Sequence, residues 1–465
     1  MLWFIVSTAF AQPDCIATAP LPSTRPSLSG EAEAVDSDDG RFRVHFTRDG
    51  TDTPGGTEGV DGVPEMVWRV LDGLEHGRET FLERGFRPVH PDAGEEGSDA
   101  VDVYITHLDS NGYATAVDGV DGETSCYIRI NPVLGWVSGE VVESVAIHEL
   151  HHCVQFAYTT NTHAFMYEAT ATFEQYRALS DETLAVALDI LYVTRLTEPE
   201  RKLHNTEGRY HYAGFLFLKF WSEYQGEDLA RIPALWEQLA LTPAWDEALD
   251  AAAQTTWGLS LDEVFVDFAR FNAFACSRDD GQHYLPDSLG CGADVEVPHT
   301  SFEEPTGSAS VSLENARYSA SYARWEMATE GMLTEMTCAV PSDPEGDLRV
   351  LLAHLDGDGE LAAFESMRVE PGAVLSLGVP NGAGGSTLAV FASVGEGPVT
   401  STCTLDERDP EEKAGCGCTI GSERTMGWWL LPLLLSLRLR RGDDTPTGSQ
   451  TMPHGARQGG QNAVC

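Results

Sequence analysis

Two hydrophobic periods alternate along this chain, and where each one holds decides which elements it predicts. Phe42-Arg43-Val44-His45-Phe46 alternates apolar with polar, the two-residue period of a half-buried strand. From Pro64 to Arg84, Met66, Val67, Val70, Leu71, Leu74 and Phe81 recur at helical spacing. Val101–Thr106 and Cys126–Ile130 read as further strands. Val141, Val145, His148 and His152 then fall on one helical stripe, with Val142, Ala146, Glu149, Cys153 and Phe156 on the next. No Pro or Gly interrupts Glu140 to Tyr158, and Ser138 stands where an N-cap belongs. Residues 180–275 continue in Leu-, Trp- and Phe-rich helical windows, with few turn signals before Gly258. Beyond residue 300 the period shortens. Val311–Leu313, Tyr318–Tyr322, Leu348–Ala353, Val374–Gly378 and Thr387–Phe391 are short runs separated by Gly, Pro and Asp turns. The pattern predicts an α+β domain over residues 41–292, then an all-β sandwich over residues 300–405 serving as a binding or spacer module.

The helix over residues 140–158 carries His148-Glu149-x-x-His152. Residues i and i+4 lie one turn apart on one face, so two imidazoles there can grip one ion. Glu149 is turned away by about 100° and reaches a water on that ion instead. Zinc lowers the pKa of such a water to about 7, and a neighbouring carboxylate can take the proton. A catalytic zinc needs a third protein ligand and an open position. Gln155 and Tyr158 stand where a further Gly and His would be needed, so the ligand must come from elsewhere. Glu168 lies sixteen residues past His152, room for a short loop and one turn of a second helix, and is the first choice. Glu174 and His163 are its rivals. Glu174 lies about 240° round the same helix from Glu168, so both cannot face one ion, and it is expected to be solvated or to support the ligands. His163 falls in the turn between the helices. Zinc hydrolysis also needs a donor for the oxyanion. Tyr212 is the first candidate and His211 the second, against the alternative of a ring that packs and wets its hydroxyl.

His148-Glu149-Leu150-His151-His152-Cys153-Val154-Gln155, followed by Tyr167-Glu168-Ala169-Thr170-Ala171-Thr172-Phe173-Glu174, resembles a family of secreted bacterial metalloproteases of the gluzincin type. Those pair H-E-x-x-H-x-x-Q with a downstream E-(A/G)-T-A segment. The likeness spans about residues 41–290. It implies a zincin-like metallopeptidase domain, His148, His152 and Glu168 as Zn²⁺ ligands, Glu149 as general base, and a protein or peptide substrate. In that family the loop at residues 57–65 often carries a calcium site. Here Thr57 and Gly59 replace two ligand positions, leaving Asp61 and Glu65, so a plain helix-entry turn is preferred to Ca²⁺, which wants six to eight oxygens. The competing reading is a surface adhesion or binding protein whose metal site is structural or vestigial.

Composition narrows the setting. A formal net charge of −44 argues against nucleic-acid binding and suits an exported protein. Ten cysteines contain no C-x-x-C pair, so a zinc ribbon is not expected. Cys276 with Cys291, Cys338 with Cys403, and less strongly Cys126 with Cys153, are candidate disulfides. Leu2–Ala11 is an apolar run ending in Ala9-Phe10-Ala11, read as a signal peptide over residues 1–11 although no Lys or Arg precedes it; a buried strand is the alternative. Residues 12–40 read as a disordered acidic linker. After a linker at 406–415 come Cys416-Gly417-Cys418, an apolar run from Met426 to Leu437, then Arg438, Arg440 and Arg441. Residues 416–441 resemble a myxobacterial C-terminal sorting signal, ahead of a polar tail at 442–465. That resemblance implies a sorting or processing enzyme as partner, transient membrane contact and a place at the cell surface. The run is only about 12 residues, where about 20 span a bilayer, and it contains Pro432.

Overall fold

A computed structural model describes residues 24–178, 194–275, 283–284, 299–301, 307–313, 317–325, 330–339, 346–356, 361–369, 374–380, 385–395, 397 and 399–409. The chain folds as a mixed α+β N-terminal region followed by a β-rich C-terminal region. The expected signal peptide, residues 12–23 of the linker, the Cys276/Cys291 pair and everything from residue 410 onward lie outside the described residues.

The N-terminal sheet holds β1 (Ala32–Asp36), β2 (Phe42–Thr47), β3 (Val101–Ile105), β4 (Gly112–Asp118) and β5 (Thr124–Ile130) in the order β1-β2-β3-β5-β4. β2, β3 and β5 run parallel, and β1 and β4 are antiparallel edges. Strand alternation sorts the faces: Phe42, Val44, Phe46, Val101, Val103 and Ile105 point into the core beneath the helices. The opposite face carries His45, Asp102, Tyr104 and Tyr127. It is covered by the chain before β1: Leu28 packs on Tyr104 and Tyr127, and Arg25 meets Asp92 at 2.6 Å. Residues 24–40 are therefore ordered, and the expectation of a linker there is corrected. Their composition is acidic and Pro/Ser-rich, but a polar sheet face with buried carboxylates needs a cation and a cover, and Arg25 and Leu28 supply them.

Helix α1 (Glu65–Glu83) lies against α2 (Gly139–Phe156). Gly73 makes the close approach possible, since a Cβ there would meet the Glu143 carbonyl oxygen at 2.7 Å. Ser138 occupies the N-cap of α2, but its side chain makes no capping bond. The loop before α1 is a hydrogen-bonded turn, with Gly59 N–H donating to Val63, Glu65 N–H to Thr57 (3.0 Å) and the Thr57 hydroxyl to the Glu65 carboxylate (2.9 Å). Beyond α2 come α3 (Ala164–Ala178), α4 (Tyr210–Ala213), α5 (Phe215–Glu223), α6 (Arg231–Leu241), α7 (Trp245–Trp257) and α8 (Leu261–Ala273). Gly258 ends α7 in the left-handed conformation (φ 70°), and Ser260 with Glu263 forms a capping box on α8.

The described residues of the β-rich region form two sheets. One is ordered β11 (Leu361–Val369), β10 (Leu348–Leu355), β13 (Ser386–Ser393), β8 (Ser319–Trp325), β6 (His299–Ser301); the other is β12 (Val374–Pro380), β9 (Leu333–Ala339), β14 (Val399–Arg408), β7 (Gly307–Leu313). Val350, Leu352 and Phe391 from the first sheet share a buried cluster with Met336, Cys403 and Leu405 from the second. The other face of the first sheet joins the main core. Leu351, Leu388 and Val390 cluster with residues of α8, and the Tyr322 hydroxyl donates to the Ala269 carbonyl at 3.0 Å. The two regions thus share apolar surface, rather than hanging as an enzyme and a separate spacer. No helix among the described residues is long and apolar enough to cross a membrane.

Two disulfides are present among the described residues: Cys338–Cys403 between facing residues of β9 and β14, and Cys126–Cys153, which ties β5 to α2. The second closes a 27-residue separation in the chain. Loop-closure entropy for that length is worth about 3.5 kcal/mol. Urea unfolding of the Cys126→Ala/Cys153→Ala variant is expected to show a loss of that order; an unchanged midpoint would mean the bond does not constrain the fold.

Candidate metal centre

His148 and His152 stand one turn apart on α2, with ring centroids 4.9 Å apart. α2 and α3 are joined by a short turn and pack together, so that Glu168, in the second turn of α3, arrives opposite both imidazoles. Glu168 Oε2 lies 3.3 Å from His148 Nε2 and 3.6 Å from His152 Nε2. Among the described residues this is the only group of three or more His, Cys, Asp or Glu whose ligand atoms converge closely enough to hold a metal ion. The fit to zinc can be checked by geometry. A tetrahedral ion with bonds of about 2.0–2.2 Å separates its ligand atoms by about 3.3–3.6 Å, the spacing found between Glu168 and each histidine. Three side chains able to hold an ion converge, and no fourth His, Cys, Asp or Glu joins them among the described residues.

The rivals for the third position are placed elsewhere. Glu174 is fully buried and pairs with Arg84 of the α1 C-terminus, so the expectation that it is solvated is corrected. His163 sits in the turn before α3, its Nδ1 accepting from the Phe165 N–H at 3.1 Å and its ring against His204 and Trp245. Neither converges with the histidines. The carboxylates of the loop at residues 57–65 form no metal-holding group either.

The outer atoms of the imidazoles are held as well. His148 Nδ1 is 3.1 Å from Gln175 Oε1, and His152 Nδ1 is 2.8 Å from Gln155 Oε1. The Gln155 amide donates to the Tyr167 carbonyl at 2.8 Å, and the Gln175 amide to the Ser144 hydroxyl. Sequence reading did not assign either glutamine. Gln155 carried a signal, since three residues past His152 on a helix is the neighbouring position on the same face.

Glu149 points from α2 to β4. Gly112 gives it room: a Cβ there would come within 2.5 Å of Glu149 Oε1. Burial raises the Glu149 pKa above the ordinary carboxylate value, while His152 and His148 draw it part of the way back. Burial also works against charge on Glu168, but the field of His152 and hydrogen bonds from both imidazoles hold it well below the carboxylate range. Burial opposes charge on His152 too, and Glu168 overrides it, raising that imidazole to about 9. A bound cation would therefore displace a proton. His151, behind them in an apolar setting against Phe81 and Phe86, is pushed well down by burial and stays neutral.

Tyr212 comes to the same place. Gly214 follows it where a Cβ would strike Phe165 at 2.4 Å, so the α4–α5 junction packs tightly onto α3. The Tyr212 ring lies 6.0 Å from the His148 ring. The charge of Glu168, with burial, raises the Tyr212 pKa. The His211 ring lies tilted against that of Tyr212, with centroids 4.2 Å apart. The metal-holding group keeps contact with solvent through Glu168, whose side chain is 21% exposed. A separate cavity of about 330 Å³ lies on the far side of α2, behind Leu150 and Val154, and none of the cluster residues lines it.

No family model and no curated protein matches this chain. Among solved structures it is similar to a family GH115 4-O-methyl-alpha-glucuronidase (11% identity, 57% of this chain and 39% of that one, TM-score 0.16). It is also similar to CapF with 3-isopropenyl-tropolone (12% identity, 36% and 55%, TM-score 0.13) and to dimeric latent PorU from Porphyromonas gingivalis (11% identity, 22% and 10%, TM-score 0.12). The chain spans well under two thirds of each, and at these TM-scores the likenesses carry no argument.

The Arg84–Glu174 pair behind the site yields a pH-dependent expectation. Burial lifts Glu174 from 4.5 to about 6 against the pull of Arg84. A carboxyl raised on folding stabilises below its unfolded pKa, and that contribution is lost as pH rises through the folded value. Arg84→Met strips the charged form of its partner, a loss of about 3–5 kcal/mol for buried pairs. Urea denaturation should show a small loss at pH 5, where Glu174 takes up a proton, and the full loss at pH 8; equal losses would contradict the pairing.

Proposed function

We propose that this chain is an exported zinc-dependent metalloendopeptidase of the gluzincin type, with a zincin-like catalytic domain followed by a β-sandwich. The observation that carries the reading is the convergence of two Nε2 atoms on one Glu168 oxygen at tetrahedral ligand spacing, beside a buried Glu149. In this reading His148, His152 and Glu168 hold the ion. When bound, zinc would supply Lewis acidity toward a water and toward the scissile carbonyl.

The remaining steps belong to the chain. Glu149 takes a proton at its carboxylate and delivers it to the leaving amine. Burial suits it to that task, because a carboxylate that must carry a proton works best with a raised pKa. The Tyr212 hydroxyl, on a ring 6.0 Å from that of His148, would be the donor to the oxyanion. β4 has no strand beyond it among the described residues. An extended peptide can add along such an edge by main-chain hydrogen bonds, beside Glu149 at Gly112. A structural zinc site is closed by four protein ligands and has no use for a carboxylate aimed past them, which favours this reading over an adhesion protein with a structural ion.

The test is a peptide-library digest with zinc-loaded protein. Glu149→Gln keeps the shape but cannot take a proton, so it should retain zinc and lose about 10²–10⁴-fold in cleavage rate. Glu168→Ala should instead lose zinc. Cleavage by Glu149→Gln at the wild-type rate would remove Glu149 from the mechanism.

A further inference from the structure

We propose that Gln155 and Gln175 decide which ring nitrogen His152 and His148 offer to an ion, and that they do so without adding charge. The inference rests on the metal-site reading above. Its core is the polarity of one hydrogen-bond chain. The Tyr167 carbonyl can only accept, so the Gln155 Nε2 must face it, at 2.8 Å. That turns Gln155 Oε1 onto His152 Nδ1, also at 2.8 Å. An oxygen there requires a proton on Nδ1. The lone pair for an ion is then left to Nε2, the atom that faces Glu168 at 3.6 Å. Gln155 is fully buried and His152 nearly so, so no water stands ready to take over the contact.

Gln175 makes the matching contact from the other helix, with a hydroxyl, which can accept or donate, in place of the carbonyl at its far end. Its Oε1 lies 3.1 Å from His148 Nδ1, and its amide nitrogen donates to the Ser144 hydroxyl. His148 thereby turns its Nε2 toward Glu168 at 3.3 Å. Each imidazole is thus oriented by an amide whose far end is itself tied down. Histidine ligands are commonly oriented by carboxylates, which raise ligand basicity and offset the charge of the ion. Two neutral amides fix the same orientation while leaving Glu168 as the one anion that contacts both histidines, so more of the ion's positive charge remains for chemistry.

The experiment uses the full chain, stripped of metal and titrated with Co²⁺ alone, with affinity read by visible absorption and by competition. Thermal melts run in parallel. Gln155→Leu removes both the acceptor and the donor; Gln155→Glu keeps an acceptor for His152 but loses the bond to Tyr167. A positioning role predicts that Gln155→Leu weakens cobalt binding about 10–100-fold. It also predicts that Gln155→Glu restores binding to the wild-type level or tighter, although its melting temperature falls. If cobalt affinity instead follows the melting temperature, with Gln155→Glu as weak as Gln155→Leu, the residue is structural and the proposal is overturned. Unchanged affinity in Gln155→Leu overturns it equally. Should Gln155→Leu not fold, Gln175→Leu and Gln175→Glu make the same comparison at His148, where the amide is only partly buried. Failure of the underlying reading looks different: the wild-type chain itself would not take up cobalt, and both ideas would fall together.

Discussion

One ionised carboxylate held against two nearly buried imidazoles is the constraint around which this structure is arranged. Glu168 lies at 3.3 and 3.6 Å from His148 and His152 in a setting that disfavours charge. It stays ionised only because positive charge is at hand, as a proton on His152 or as an ion between the three groups. The groups next to it are kept neutral or paired, except Glu149, which burial and the charge of Glu168 push toward the neutral form. His151 is neutral, Gln155 and Gln175 hold the imidazoles without charge, and Glu174 is answered by Arg84. A further uncompensated charge would compete with that balance at a cost of several kcal/mol.

The scaffold serves the same end. α2 is tied to β5 by Cys126–Cys153, pressed onto α1 at Gly73 and packed against α3, so the carrier of both histidines is held on three sides. Gly112 on β4 and Gly214 before α5 are close-approach positions, one making room for Glu149 and the other bringing Tyr212 to the site. The chain before β1 closes the far face of the sheet, and the β-rich region covers α8. The site thus sits on helices anchored at both ends of the core rather than on loops.

Much of this was legible in the sequence where a period or a spacing repeats. α1, α2, β2, β3 and β5 follow their hydrophobic patterns, the H-E-x-x-H spacing placed two histidines on one face, and one turn into the next helix placed Glu168. What escaped had no period to show. β1 reads Ala-Glu-Ala-Val-Asp and stays largely exposed, so it resembles the acidic stretch around it. β4, Gly-Tyr-Ala-Thr-Ala-Val-Asp, is an edge strand of small residues with weak alternation. Glu174 looked like a surface residue because its partner Arg84 lies 90 positions away in the chain. The glutamine tethers depend on which atom faces which, and hydrogen-bond polarity is not written in spacing.

The central claim is that His148, His152 and Glu168 together bind a catalytic ion. Zinc-edge X-ray absorption on the full chain carrying one equivalent of zinc addresses it most directly. The account predicts a first shell of nitrogen and oxygen at about 2.0–2.2 Å, two imidazoles in the outer scattering and no sulfur. Sulfur at about 2.3 Å, or bound zinc without imidazole scattering, would place the ion elsewhere and contradict it.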